Sequence, residues 1–304
     1  MNRAVQNVPA SVRAKLLNRA KKEGRPFQEL LQYYAMERFL YRLSQSNHTE
    51  RFILKGGLMM QFWGGTLARS TKDIDFLGEK HGSSEEFVEL IKECLELDVE
   101  DDGIRFDTGS LKGEEIRIDA KYQGVRVYFI AYLQRSRIAL QIDVGFGDAV
   151  SPAPKSLIYP SLLDFEEPQI LAYTPESLLS EKFHAMVFLD LANTRLKDFF
   201  DLWVLSNSLS FENSKLYNAI SSTFLRRDTT LPKSLPTAFT SAFFANPTKQ
   251  KQWEALLRKN NLIDKTPKKL EEIVLHLQKF LMPILDYPIT GEMLWQPRGP
   301  WERK

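Results

Sequence analysis

The run SRIALQIDVGFGD, residues 136–148, constrains this chain more than any other segment. Ile138, Leu140, Ile142 and Val144 alternate with Ala139, Gln141 and Asp143, a period of two that fits a strand with one apolar and one polar face. Residues 73–76 repeat the pattern: Ile74 and Phe76 take one face, and Asp73 and Asp75 share the other. The runs RFIL, IRFD, EEIRIDA and VRVYFIAYL add further strand-like segments between residues 51 and 133. A helix over roughly 84–97 interrupts them, and Pro152, Pro154, Pro160 and Pro168 punctuate the exit.

Both flanks read as helix. SVRAKLLNRAKKEG stops at Gly24 with cationic residues in its last turn. Arg25-Pro26 restarts the chain, and Leu30, Leu31, Tyr34, Phe39, Leu40 and Leu43 then recur at three- and four-residue spacing. Gly56-Gly57 leads into a short helix, LMMQFW, which Gly64-Gly65 breaks. Thr174-Pro175 supplies a cap and a first helical residue for PESLLSEKFHAMVFLDLA, and KDFFDLWVLSNSL forms a second clear helix. The last stretch, GEMLWQPRGPWERK, reads as an extended tail. The expectation is an α+β protein in three parts: N-terminal helices (1–50), a mixed-sheet core (51–172) and a C-terminal helical domain with a tail (173–304).

Composition narrows the class. Apolar residues make up 43% and charged residues 26% of 304, a globular balance, and no apolar run approaches the ~20 residues that span a bilayer. The N-terminal residues lack the apolar stretch of a secretory signal. Cys94 is the single cysteine, so an internal disulfide is excluded and a reducing, cytoplasmic compartment is expected. One cysteine and four scattered histidines argue against a structural zinc site. Residues 1–26 and 226–304 each carry +6, which leaves the middle at −10 within a net charge of +2. An acidic centre between basic ends suits a metal site flanked by phosphate-binding surfaces. On charge alone, solvated helix faces are the simpler account.

The segment from Lys55 to Asp75 carries the chemistry. Nucleotidyl transfer requires charge neutralisation at the α-phosphate and a hydroxyl held in line with the leaving pyrophosphate. Two magnesium ions about 3.5–4 Å apart supply both, and hard cations take carboxylate oxygens. Asp73 and Asp75 project from one strand face, and Asp143 offers a third carboxylate from another strand. The paired glycines Gly56 and Gly57 let backbone N–H groups approach phosphates at a helix start. Asp-x-Asp pairs are common in solvated segments. The upstream glycines, Arg69, Thr71 and the third Asp turn this one into a constellation.

At these residues the chain resembles the AbiEii/AbiGii-type toxin nucleotidyltransferases of the DNA polymerase β-like superfamily. The resemblance runs over most of residues 8–205, through the N-terminal helices, FILKGG, RSTKDIDFLG, QIDVGFGD, TPESLLSEKFHAM and RLKDFFDLWVL in the family's order. It implies a polymerase β-like mixed-sheet core. It implies that Gly56 and Gly57 bind nucleotide, that Asp73 and Asp75 hold the metals, and that Asp143 completes the second metal position and helps deprotonate the acceptor. It also implies that Lys182 holds the triphosphate, that Asp198 is a base or orients the nucleophile, and that Arg69 and Thr71 line the nucleotide pocket. The site would then lie in the cleft between core and helical domain. Fifteen residues separate Gly57 from Asp73, longer than the superfamily's usual gap. Without the resemblance, Lys182 reads as a snorkelling side chain, and Asp198 and Asp201, three apart on one helix face, read equally well as helix N-terminal acids serving the dipole. His184, two residues from Lys182, reads as structural.

The resemblance implies Mg2+ (or Mn2+) and NTP, no membrane, a cognate antitoxin encoded nearby, and transfer of NMP to RNA, in particular the tRNA 3′ end. The basic terminal segments would then grip the phosphate backbone. Alternatives from the residues themselves are a protein-modifying nucleotidyltransferase and a nucleotide-binding module without turnover. A glycosyltransferase using Asp-x-Asp lacks the βαβ series it would need.

Overall fold

The computed structural model describes residues 7–67, 69–117, 123–289 and 291–304. The chain forms two compact units: Met1–Leu58 with Ser70–Gly147 and Lys155–Ala172, and Met59–Arg69 with Asp148–Pro154 and Tyr173–Lys304.

The first unit opens with helix α1 (Val8–Glu23), whose N-terminus is capped by the Asn7 side chain accepting from the Ala10 amide at 3.0 Å. Gly24 ends it in the left-handed conformation, φ +64°, as the sequence requires. Helix α2 (Phe27–Gln45) buries Leu30, Leu31, Tyr34, Phe39, Leu40 and Leu43, the residues spaced at three and four. After strands β1 (Phe52–Lys55) and β2 (Asp73–Gly78), helix α3 (Ser84–Leu95) starts at a Ser83 cap and buries Phe87, Leu90, Ile91 and Cys94. Burial pushes the Cys94 thiol up to about 11, so it is a core side chain rather than a nucleophile.

Strands β3 (Ile104–Arg117), β4 (Gln123–Leu133), β5 (Ser136–Phe146), β6 (Lys155–Ile158) and β7 (Gln169–Ala172) complete a seven-stranded mixed sheet in the order β3-β4-β5-β2-β1-β7-β6. β2 runs parallel to β5, and β1 parallel to β7; the other neighbours are antiparallel. Ile138, Leu140, Ile142 and Val144 are buried, and helices α2 and α3 pack on the sheet. Each such side chain contributes about 1.5–3 kcal/mol of burial. The residues between them on β5, including Gln141 and Asp143, stand on the opposite face.

Two features differ from the pattern reading. IRFD and the first half of EEIRIDA belong to one strand, with the register shifted between Asp107 and Lys112. The Ser110 hydroxyl fills the break, donating to the Asp107 carbonyl at 2.6 Å and accepting from the Ile130 amide at 2.9 Å. Residues 118–120 of that run lie outside the described residues. The Pro-punctuated exit contains β6 and β7, four residues each, with Pro154, Pro160 and Pro168 close outside their ends.

The second unit is mainly helical. It begins with the short helix Met59–Trp63 and continues with α4 (Pro175–Leu189), α5 (Leu196–Ser208), α6 (Asn213–Arg226), α7 (Pro247–Lys259) and α8 (Leu270–Leu281). Thr174 caps α4 through its side chain and Pro175 occupies the first turn. The stretch expected as an extended tail is extended but packed. Strands β9 (Met293–Trp295) and β10 (Trp301–Arg303) join β8 (Phe211–Glu212) in a three-stranded antiparallel sheet. Trp295 and Trp301 pack on Phe280, and their indole N–H groups donate to the Ser206 and Phe280 carbonyls at 2.7 and 2.8 Å. Large amphipathic rings with a polar edge supply the area that anchors so short a sheet. Among the described residues, no helix is long and apolar enough to cross a membrane.

Candidate active site

Strand pairing decides which charged side chains become neighbours in the first unit. Asp75 on β2 is the register partner of Asp143 on parallel β5 and of Lys55 on antiparallel β1. Asp143 is opposite Arg126 on β4, and Arg126 is opposite Glu114 on β3. The result is one row, Glu114–Arg126–Asp143–Asp75–Lys55, across five strands about 4.8 Å apart. Asp73 sits two residues along β2 on the same face as Asp75, while Ile74 and Phe76 are fully buried on the other. Asp73, Asp75 and Asp143 thus stand on one face of adjacent strands, each half-buried.

The glycine pair lies against Asp75. Gly56 has φ +72°, and a Cβ added there would stand 1.9 Å from the Asp75 Oδ2 atom. The Gly57 amide donates to the same oxygen at 3.3 Å. The backbone that the sequence reads as a phosphate cradle therefore also supports a carboxylate. Gly56→Ala is expected to lower stability by about 1–3 kcal/mol from the left-handed backbone and clash together. It should also cut activity by displacing Asp75. Thermal melts and a transfer assay measure both; a variant normal in each would refute this account of the glycine.

Electrostatics single out Asp75. Burial, and then repulsion from Asp143, raise its pKa above the ordinary aspartate value, with Lys55 and the Gly57 amide pulling the other way. Asp143 is held differently: the Arg126 guanidinium forks onto it, Nε to Oδ1 at 2.7 Å and Nη2 to Oδ2 at 2.8 Å. Gln141 Nε2 adds donors at 3.0 and 3.2 Å. This ion pair holds Arg126 well above the usual arginine value, with partial burial acting against it.

The donor set fits a hard divalent cation. Asp73, Asp75 and Asp143 present oxygens from adjacent strands, and a cation relieves the repulsion that Asp75 and Asp143 otherwise feel. Among the described residues, no three acidic, His or Cys side chains are already gathered as a metal cage.

The second unit holds another cluster. Asp198 and Asp201, three apart at the start of α5, are both fully buried. Lys182 on α4 reaches both, with Nζ 2.9 Å from Asp198 and 2.7 Å from Asp201. Arg69 forks onto Asp201 with two bonds of 2.8 Å, and Arg195 Nε lies 2.8 Å from Asp198. Burial acts to lower the Lys182 pKa, but Asp198 and Asp201 outweigh it and the net shift is upward. Burial likewise acts to raise Asp198, and Lys182 with Arg195 carries it below the ordinary aspartate value. Lys182 is thus a buried, doubly paired ammonium rather than a snorkelling one.

The predicted residues therefore fall into two groups. Gly56, Gly57, Thr71, Asp73, Asp75 and Asp143 belong to the first unit, and Arg69, Lys182 and Asp198 to the second. The Thr71 amide donates to the Tyr33 hydroxyl at 2.9 Å. His184 is buried and lies 3.0 Å from the Thr229 hydroxyl. Sequence reasoning paired Asp201 with Asp198 on one helix face but gave it no role, and it did not find Arg126. The three-residue spacing is enough to mark Asp201, but Arg126 needs the β4–β5 register.

A mixed sheet with a charged row on its polar face, accompanied by a helical unit, defines an α+β protein. The family model described as nucleotidyl transferase AbiEii toxin, type IV toxin–antitoxin system, matches residues 38–274. The chain belongs to that family and is a nucleotidyltransferase toxin. Family membership implies an NTP substrate and an antitoxin partner. No curated protein matches the chain. Among solved structures, one similar chain is an H. pylori protein described as a candidate nucleotidyltransferase. It is 15% identical with a TM-score of 0.49, over 86% of this chain and 97% of that one. Another is JHP933 from Helicobacter pylori, 15% identical with a TM-score of 0.41, over 78% of this chain and 97% of that one.

Proposed function

We propose that this protein transfers NMP from an NTP to RNA, at the tRNA 3′ end, in a magnesium-dependent reaction in the cytoplasm. The observation that carries the reading is the placement of Asp73, Asp75 and Asp143 on one face of two adjacent parallel strands, with Asp75 backed by Gly56 and Gly57. Magnesium, when bound, neutralises the α-phosphate and activates the acceptor hydroxyl. Asp73 and Asp75 supply its ligands, and Asp143 completes the set.

Lys182 is assigned to the triphosphate, where its ammonium balances charge on the departing pyrophosphate. Asp198 and Asp201 keep it protonated in a buried setting. Arg69, fixed in its fork by Asp201, presents a rigid cation. Asp198 orients the lysine, and Thr71 lies two residues ahead of Asp73, where it can line the nucleotide site.

RNA as the acceptor is supported by exposed basic residues in both units. Arg13, Lys15, Lys21 and Lys22 are exposed on α1, as are Lys251, Arg258 and Lys259 on α7 and Lys265, Lys268 and Lys269 after it. Such residues track a phosphate backbone and make binding fall steeply with salt.

The test is one reaction set: purified protein, magnesium and each of four α-labelled NTPs with total tRNA, beside the Asp73→Ala/Asp75→Ala double variant. Label on tRNA that disappears in the variant supports the reading and names the nucleotide. Label on a polypeptide would replace RNA with a protein hydroxyl as acceptor. Nucleotide binding without any transfer would point to a module that has lost turnover.

A further inference from the structure

The charged row across the sheet has a cation at each side of its two central carboxylates. Lys55 flanks Asp75, and Arg126 flanks Asp143. Arg126 makes a two-pronged contact that engages both oxygens of Asp143, and Gln141 approaches the same two atoms. A carboxylate offers about four lone-pair directions. With donors from two side chains on both oxygens, Asp143 has little left for a cation.

The Arg126 side chain is 30% exposed and that of Asp143 17%. The fork is a strong two-pronged contact, but water reaches both partners, so a divalent cation of higher charge can compete for the carboxylate. Arg126 also has somewhere to go. Its guanidinium lies 6.0 Å from the centre of the Tyr128 ring, and Tyr128 itself is exposed and donates to Glu114 at 2.9 Å. Glu114 is the next acid along the row, directly opposite Arg126. An alternative acceptor and an aromatic face thus stand beside the fork.

We propose that Arg126 is a positioning residue that latches Asp143, and that a divalent cation gains Asp143 as a ligand only by displacing the Arg126 fork. The proposal rests on Asp143 belonging to the metal set. Cation entry and release of the guanidinium are then one exchange, with Glu114 and Tyr128 receiving the freed side chain. The wild-type protein binds its cation more weakly than its three carboxylates allow, and Arg126 sets the difference.

The experiment is a titration of the full chain with Mn2+ alone, free ion being read by electron paramagnetic resonance, without nucleotide. Arg126→Lys keeps the charge but cannot fork, and it is expected to bind Mn2+ about fivefold more tightly than wild type. Arg126→Gln, which also removes a positive charge, should bind at least about tenfold more tightly. If Arg126 instead orients Asp143 for the metal, Arg126→Lys binds more weakly. If it acts only as a background charge, Arg126→Lys binds as wild type does. Either result overturns the latch. Asp75→Asn, run beside them, separates this failure from that of the metal site: Mn2+ binding that ignores Asp75→Asn removes the site itself, and the latch with it.

Discussion

Asp75→Asn is expected to lower nucleotidyl transfer by on the order of a thousandfold or more while raising the melting temperature at neutral pH. The two effects have one origin. Burial and the neighbouring Asp143 make the site unfavourable for a negative charge, and Lys55 and the Gly57 amide offset this only in part. A group whose folded pKa is raised contributes stability that is fully present below its unfolded pKa and is lost as pH rises through the folded one. At neutral pH the wild type therefore carries strain that asparagine, of the same shape but uncharged, does not. The stability advantage of the variant should vanish as the pH is lowered below the ordinary aspartate range. Melts at neutral and acid pH, set beside a transfer assay, measure all of this. Normal transfer would remove Asp75 from the metal set. A lower neutral melting temperature would mean that Lys55 more than compensates the charge.

Lys182→Met carries the second large effect, this time on folding. Two aspartates, both fully buried, depend on Lys182, Arg69 and Arg195 for compensation, and Lys182 is the cation shared between them. Removing one partner from a buried pair costs about 3–5 kcal/mol, because the remaining charge is left uncompensated. Arg69 still holds Asp201 and Arg195 still reaches Asp198, so a value near 3 kcal/mol is expected. The pH dependence gives a sharper check. Asp198 is depressed in the folded state, so its contribution is present above the ordinary aspartate value and is lost as pH falls through the folded one. The gap between wild type and Lys182→Met should accordingly be widest near neutral pH and narrow on acidification. A denaturant series at several pH values measures it. A constant gap would mean that Asp198 owes its ionisation to Arg195 rather than to Lys182.

The two clusters were legible in the sequence to different degrees. Asp73, Asp75 and Asp143 could be read from alternation within their own strands, because side chains two apart on a strand share a face whatever the rest of the fold does. Lys182 and Asp198 were marked only by family likeness. A lysine among Leu178, Leu179 and Phe183 has no local signature of burial, and its partners lie 16 and 19 residues away. The packing of the extended tail was hidden for a related reason. Strands of three residues fall below any periodic signal, and β9 and β10 are held by Trp295 and Trp301 against Phe280.

By itself the sequence determined the elements whose patterns are local: helix α2 from three- and four-residue spacing, β5 from alternation, and the ends of α1 and α4 from Gly24 and Thr174-Pro175. The register and the charge pairing were decided only by the tertiary structure. Arg126 meets Asp143 because β4 and β5 pair in one register, and Gly56 must lack a Cβ because β1 delivers it against Asp75. Those are contacts between segments far apart in the chain. Their energies depend on a burial and a geometry that exist only once the sheet has assembled.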